Sequence, residues 1–385
     1  MAGTNISGSS ASPDVAIVGG GIIGCSLAYE LARNGLKVMV FERGAVGREA
    51  SGAAAGIISP PSSTDNPRVK AELTADSILA YPTFIERIEA STGSRTGFHL
   101  RGELTVALDE SEVPELQLLA DWQEGLGFHV DWLDGSACRD LEPVLPESVL
   151  GGVLVREAAS VFTYDLTRVT AEAAVRSGAR IVEHTPVVGV SVDRGRAVGV
   201  RLPDGFVPAG QVVLAAGAWT AQLAGDIGHD VPTFPSKGQM LAIAGAPLMP
   251  YRIIGRYGGG HLVPRTDGTV AVGATKERVG FDKRVVASNT QWCLDLATEL
   301  APSLLQGEIT SMWTGLRPGS ADDQPIMGRV PDVDGLWVAT GHYQTGIQMA
   351  VITADLMASS ILVGSPDPRL EAFRLSRFGE RHVAI

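Results

Sequence analysis

This sequence predicts a mixed α/β fold of two joined domains, and three observations carry the prediction. Near its start, "AIVGGGIIGCSLA" (16–28) joins a β-branched run to a helical one through consecutive glycines. Near its end, "GLWVATGHYQTGIQMAVITADLMASSILVG" repeats the strand–glycine–helix order. Between them the hydrophobic pattern breaks into short alternating runs, as antiparallel strands do. At 385 residues the chain is also longer than one ordinary hydrophobic core organises.

Asp14 to Val18 is short, β-branched and apolar, which suits a buried parallel strand. From Ile23 to Arg33, Leu27, Leu31 and the small Ala28 and Ala32 recur at helical spacing, and Gly35 follows as a C-cap. "LKVMVF" gives the next strand, with Glu42 at its tip. Strand, glycine turn, helix, strand and acid in that order make a Rossmann-like signal far stronger than a bare GxGxxG. Gly19 allows the tight turn, Gly21 lets backbone N–H groups approach a pyrophosphate, and Gly24 lets the helix pack on the strand. The helix N-terminus then faces the phosphates. Glu42 is placed to accept hydrogen bonds from a ribose, and its charge disfavours a 2′-phosphate. A dinucleotide, NAD or FAD, is expected here; a ligand-free glycine turn is the weaker reading.

Residues 48–61, "REASGAAAGIISPP", are small and carry no charge after Glu49, which suits contact with a flat ligand or a flexible surface loop. Residues 71–92 read as a helix with Leu73, Ile78, Leu79, Phe84, Ile85 and Ile88 roughly on one face. "GELTVAL" and "GFHVDWL", between Gly102 and Gly152, read as a separate antiparallel region. A helix returns over 165–177, closed by Gly178, and "RIVEHTPVVGVSV" and "AVGVRLPDGFVPAGQVVLAAGAW" give strands around a "PDG" turn. The run "QVVLAAGAW" ends in small residues at Gly217, like a second ligand-facing strand tip. Residues 232–310 alternate again, with one helix over 289–300.

The closing stretch ends a strand at Thr340, passes Gly341 and Gly346, and starts a helix near Ile347 that Gly364 and Pro366 stop. Ile347, Ala350, Val351, Ala354, Met357 and Ile361 form its apolar stripe. A second helix N-terminus has a use if the dinucleotide carries an isoalloxazine ring. That ring gains negative charge on two-electron reduction, and a helix dipole stabilises it. FAD is therefore favoured over NAD.

The apolar fraction of 45%, with 46 glycines and 22 prolines, fits a turn-rich α/β protein. The net charge of −12 without any basic block argues against nucleic acid. The three cysteines are far apart and form no CxxC, so neither a disulfide framework nor a metal site is expected, and a cytoplasmic setting fits. No uninterrupted apolar run reaches about 18 residues, so no membrane span is expected. "GIQMAVITADLMASSILVG" carries Gln348, Thr353 and Asp355 and reads as a buried helix. Residues 1–13 lack a basic or apolar leader segment and read as a disordered tail rather than a secretory signal. Oligomeric state is not legible, and a homo-oligomer stays open.

With these residues in view, the chain resembles the D-amino-acid-oxidase-type FAD-dependent oxidoreductases, most closely the glycine oxidases of thiamine synthesis and sarcosine-oxidase-like enzymes. "VGGGIIG", "SGAAAGI", "EHTPV", "TGLRPGSADDQPIMGR" and "ATGHYQTGI" carry the resemblance. It implies a discontinuous FAD domain of the glutathione-reductase type over 14–89, 155–231 and 308–378. It also implies a substrate domain on a large antiparallel sheet over 90–154 and 232–307, and a tail over 379–385. By the same resemblance Ile22, Ile23, Glu42, Arg43, Ser51, Ala55, Gly56 and Ile57 line a non-covalent FAD, with Val187 at the adenine. Gly341, His342, Tyr343, Gln344, Thr345, Gly346, Ile347 and Gln348 wrap the ring.

Arg317 of "GLRPGS" matches the family's carboxylate-binding arginine, and its planar fork suits that task; read from the residues alone, a structural ion pair is equally open. Three positions depart from the glycine oxidases: Gln344 replaces an arginine, His261 a tyrosine and Lys276 a methionine. The substrate implied is therefore a small amino acid or N-substituted glycine other than glycine itself. The reaction implied is hydride transfer from a carbon bearing nitrogen to the flavin, with O2 reoxidising it to give H2O2. Lys276 matches a lysine near which sarcosine oxidases activate oxygen. Three alternatives stay open: a flavin dehydrogenase with another electron acceptor, a 2-hydroxy-acid dehydrogenase using His261 or His342 as base, and a nucleotide-binding protein without turnover.

Overall fold

The computed structural model describes residues 12–225 and 228–379. The expected tails lie largely outside that range, since residues 1–11 and 380–385 are not among those described. The N-terminal unit forms as its pattern dictates. Val15–Val18 is buried at every position, the helix Ile22–Arg33 follows at once, and Val38–Phe41 returns parallel to the first strand. A six-stranded sheet grows around them in the order Ile326–Arg329, Leu336–Thr340, Gln211–Leu214, Val15–Val18, Val38–Phe41, Arg180–Val182. Its first strand is antiparallel to its neighbour; the other pairings are parallel. Helices Ile22–Arg33, Arg68–Thr92, Thr163–Arg176 and Ala350–Val363 pack against one another beside it, which is why its strands read as unbroken apolar runs.

The alternating runs build a second, eight-stranded sheet. Its order is Glu308–Ser320, Thr233–Ala244, Val270–Gly273, His261–Pro264, Ile253–Arg256, Glu103–Ala107, Gly151–Val155, Val130–Asp134. Period-2 alternation separates its two faces. The row Leu241, Val272, Leu262, Ile254 and Leu104 is buried against the helix Ala287–Leu300. One residue along, the register sets Met240, Gly273, His261, Gly255 and Thr105 in a row on the opposite face. That face is the floor of the cleft described below.

Several boundaries differ from the sequence reading. Glu308–Ser320, expected in the nucleotide half, pairs from Ser320 to Glu308 with Thr233–Ala244 and so belongs to the eight-stranded sheet. Long-range pairing, invisible in the strand itself, decides this. The loop over 48–61 contains a short helix, Ala50–Ala53, and the strand Ile57–Ile58. The last helix begins at Ala350 rather than near Ile347. The Ile347 carbonyl accepts the buried Tyr81 hydroxyl, and Met349 N–H closes a turn on Thr345 O at 2.8 Å. Among the described residues no helix is long and apolar enough to cross a membrane.

Candidate active site

A cleft of about 1230 Å³ is lined by residues from both sheets and takes in nearly all the residues singled out above. At its nucleotide end Gly19 has φ +115, and a Cβ there would stand 2.4 Å from Ala215 O. Only glycine lets the turn cross the adjoining strand so closely. Gly24 does not line the cleft; a Cβ there would sit 2.1 Å from Gly19 O, so it closes the helix onto the turn. Gly21 caps the helix without a side chain, which leaves first-turn N–H groups for a ligand. One of them is taken, because Ile22 N–H donates to Ser51 Oγ at 2.9 Å.

Glu42 is partly occupied by the protein. Its Oε2 accepts Gly20 N–H and its Oε1 accepts Gly44 N–H, each at 2.8 Å. Each oxygen keeps a further lone pair for a hydroxyl donor. Arg43 stacks on the Trp219 ring at 3.7 Å and bonds Glu49 at 2.8 Å. Ile23, Ala55, Gly56, Ile57, Val187 and Gly217 line the same space.

The C-terminal loop closes the opposite side. Gly341 does not line the cleft; its φ is +71, and it makes room beside Ile326 and Ser320. His342 is buried, with Nε2 3.1 Å from Thr353 Oγ1. Burial, helped by the charge of Lys70, lowers its pKa to about 3. This corrects the idea of His342 as a catalytic base, since a ring so reluctant to take a proton and turned to Thr353 is a structural group. Tyr343 adopts a left-handed backbone (φ 49) and donates its N–H to Pro318 O at 2.9 Å, tying the loop beside Arg317. Gln344 is exposed on the cleft wall, and Gln348 is spent on Ser59 O at 2.9 Å. Thr345, Gly346 and Ile347 complete the loop lining.

Arg317 sits on the floor. Its Nη1 donates to Thr275 O at 3.0 Å and more weakly to Lys237 O at 3.5 Å. No carboxylate pairs with it among the described residues, and burial lowers its pKa against a smaller opposing effect of Tyr343. A Cβ on Gly238 would lie 2.5 Å from Nη2, so the glycine provides the seat for the guanidinium. Lys276 lines the cleft, is exposed, and has no partner among the described residues. His261 Nε2 lies 3.2 Å from Oε1 of Glu103. Glu103, Thr105, Gly238 and Trp219 are cleft residues that sequence reasoning missed. In "GELTVAL" the polar positions read as an ordinary solvent face, so no signal marked Glu103.

The sequence matches the family described as FAD dependent oxidoreductase over residues 14–360. The chain belongs to that family. It is 33% identical over 375 residues to the glycine oxidase of Geobacillus kaustophilus, covering 96% of this chain and 97% of that one. The glycine oxidase of Pseudomonas putida is also 33% identical, over 92% of this chain and 96% of its own. Among solved structures, the glycine oxidase of G. kaustophilus superposes with TM-score 0.89 at 32% identity, covering 97% of this chain and 99% of that one. An iminodiacetate oxidase from Chelativorans sp. BNC1 superposes with TM-score 0.86 at 27% identity, covering 94% and 98%.

FAD is thus this oxidoreductase's cofactor, and the residues present fit it. A helix start whose N-cap is glycine, a carboxylate with free lone pairs at the adjoining strand tip and a second loop across the cleft match the needs of a long dinucleotide. The notion of a binding protein without redox chemistry is set aside by family membership.

Proposed function

We propose that this FAD-dependent oxidoreductase oxidises the C–N bond of a small amino acid or N-substituted glycine that binds through its carboxylate. The observation that carries the reading is Arg317, a desolvated guanidinium in the cleft that has only carbonyl partners among the described residues. A charge removed from water needs an anion, and a planar fork with Nη2 and Nε unoccupied suits a bidentate carboxylate. When bound, FAD supplies the acceptor for a hydride from the carbon bearing nitrogen, leaving an imine that water hydrolyses to the oxo acid.

The chain's residues position and shield rather than transfer protons. Arg317 holds the carboxylate, Gly238 seats Arg317, and the loop 341–348 closes the opposite wall. The names of the relatives, glycine oxidase and iminodiacetate oxidase, support amino-acid chemistry. Gln344 cannot supply a second positive charge to a carboxylate, so glycine itself is a poorer substrate than a larger or N-substituted compound. We further propose O2 as electron acceptor, with H2O2 released, on the Lys276 side chain at the cleft wall, which has no partner among the described residues. A cytoplasmic setting belongs to the same reading, supported by three free, buried thiols.

The deciding experiment mixes the yellow protein anaerobically with amino acids, N-alkyl glycines and 2-hydroxy acids and follows flavin absorbance. Bleaching by amines with carboxylates is expected; bleaching by hydroxy acids alone would overturn the proposal.

A further inference from the structure

Glu103 and Thr105 stand on one strand of the eight-stranded sheet and His261 on another, and the strand between them carries Gly255. The three side chains meet over that glycine. A Cβ on Gly255 would lie 3.0 Å from Glu103 Oε1, 3.0 Å from Thr105 Oγ1 and 3.3 Å from His261 Cδ2. Its absence leaves a small polar cup, whose three walls all line the cleft.

The cup is short of donors. Glu103 is only 5% exposed, and the one side chain within ion-pairing distance of it among the described residues is the imidazole of His261, at 3.2 Å. No hydrogen bond reaches the Thr105 hydroxyl among those residues. A single imidazole N–H cannot satisfy two carboxylate oxygens and a hydroxyl. Once a ligand fills the cleft and excludes water, a carboxylate left in this state is costly unless a cation completes it. Elsewhere in the same cleft Arg317 has the mirror-image deficit, a desolvated cation with no carboxylate partner among the described residues.

We propose that the cup binds a cationic nitrogen at the far end of a substrate whose carboxylate Arg317 holds. The substrate class is an amino acid with an amine- or guanidine-bearing side chain, or a glycine N-substituted with an aminoalkyl group. This rests on the carboxylate-binding reading of Arg317 and deepens it. A neutral chain of equal length would bury Glu103 without a partner. Sites built around a buried polar group reject analogues that cannot pair with it far more strongly than apolar pockets reject a size change.

The test uses the FAD-loaded enzyme and length-matched pairs: 2,4-diaminobutyrate against norvaline, ornithine against norleucine, and N-(2-aminoethyl)glycine against N-propylglycine. The cationic member of at least one pair should show kcat/KM about 10–100-fold above its neutral isostere, the range of one charge-assisted hydrogen bond. The pair that responds tells a side-chain cation from an N-substituent. In Glu103→Gln the ratio should fall towards unity. Gly255→Ala, which fills the cup while keeping the charge, and Thr105→Val should lower it independently, so a poorly folding Glu103 variant does not end the test. A parental ratio at or below unity in every pair overturns the inference, as does a ratio unmoved in the folded variants. If neutral amines alone bleach the flavin, this inference fails and C–N oxidation stands. If no amine does, both fail.

Discussion

The guanidinium of Arg317 lies over Gly238, where a Cβ would stand 2.5 Å from Nη2 and 2.6 Å from Nη1. The two residues sit on neighbouring strands, with Arg317 opposite Ser236 and Gly238 opposite Gly315 in the register. A missing side chain on one strand is therefore what sets the position of a charge on the next.

Removing Arg317 and displacing it should look alike. Arg317→Ala should cost about 2–5 kcal/mol in kcat/KM for carboxylate substrates, the range for losing one partner of a desolvated charge pair. Gly238→Ala should lower kcat/KM in the same direction by at least about tenfold, because its methyl group takes the guanidinium's place. Bound FAD should be unchanged in both. Parental kinetics in Gly238→Ala would show that substrate does not depend on this seat.

FAD should be released by acid. Cys25, Cys138 and Cys293 are buried and none lines the cleft. Burial pushes the Cys138 and Cys293 thiols up to about 11, and Cys25 higher still. A flavin–thioether bond needs an accessible thiolate, and none is at hand. Trichloroacetic acid precipitation should leave a white pellet and a yellow supernatant; colour retained in the pellet would count against non-covalent binding.

Lys276 should act on oxygen rather than on substrate. A fixed ammonium stabilises the superoxide anion formed by the first electron transfer, though its exposure in the cleft wall weakens the field. Lys276→Met should leave anaerobic reduction by substrate within about twofold and slow reoxidation by O2 at least about tenfold. Stopped-flow traces of the two half-reactions separate these, and equal reoxidation rates would remove Lys276 from the mechanism.

His342 should make the fold acid-sensitive. Burial lowers its pKa from 6.5 to about 3, so between those values the unfolded chain takes up a proton that the folded chain refuses. Stability then falls as pH drops through that window, by at most about 1.4 kcal/mol per pH unit for this one group. His342→Gln, whose amide extends to where Nε2 meets Thr353, should show a shallower fall of Tm from pH 7 to pH 4.5 than the parent. Parallel Tm profiles would mean that His342 does not contribute.

The nucleotide end of the site was legible because its physics is local. A glycine turn between a strand and a helix, with an acid at the next strand tip, has few uses; Gly19, Gly21 and Glu42 line the cleft, and Gly24 packs the helix onto the turn. The reactive end was legible only in part. Arg317 could be singled out, but nothing within five residues of it revealed that Gly238, nearly eighty positions earlier, holds its guanidinium. Alternation in "GELTVAL" separated Glu103 and Thr105 from Leu104 and Val106, and the structure keeps that separation. What alternation cannot tell is whether a polar face meets bulk water or a cleft, because both favour polar side chains. The sequence by itself determined the dinucleotide turn with its flanking strands and the alternating faces of runs such as "GELTVAL", since these depend on neighbours a few residues apart. The partners of Arg317, Glu103 and His342 were decided by the tertiary structure alone, because burial and charge pairing are set by residues that only folding brings together.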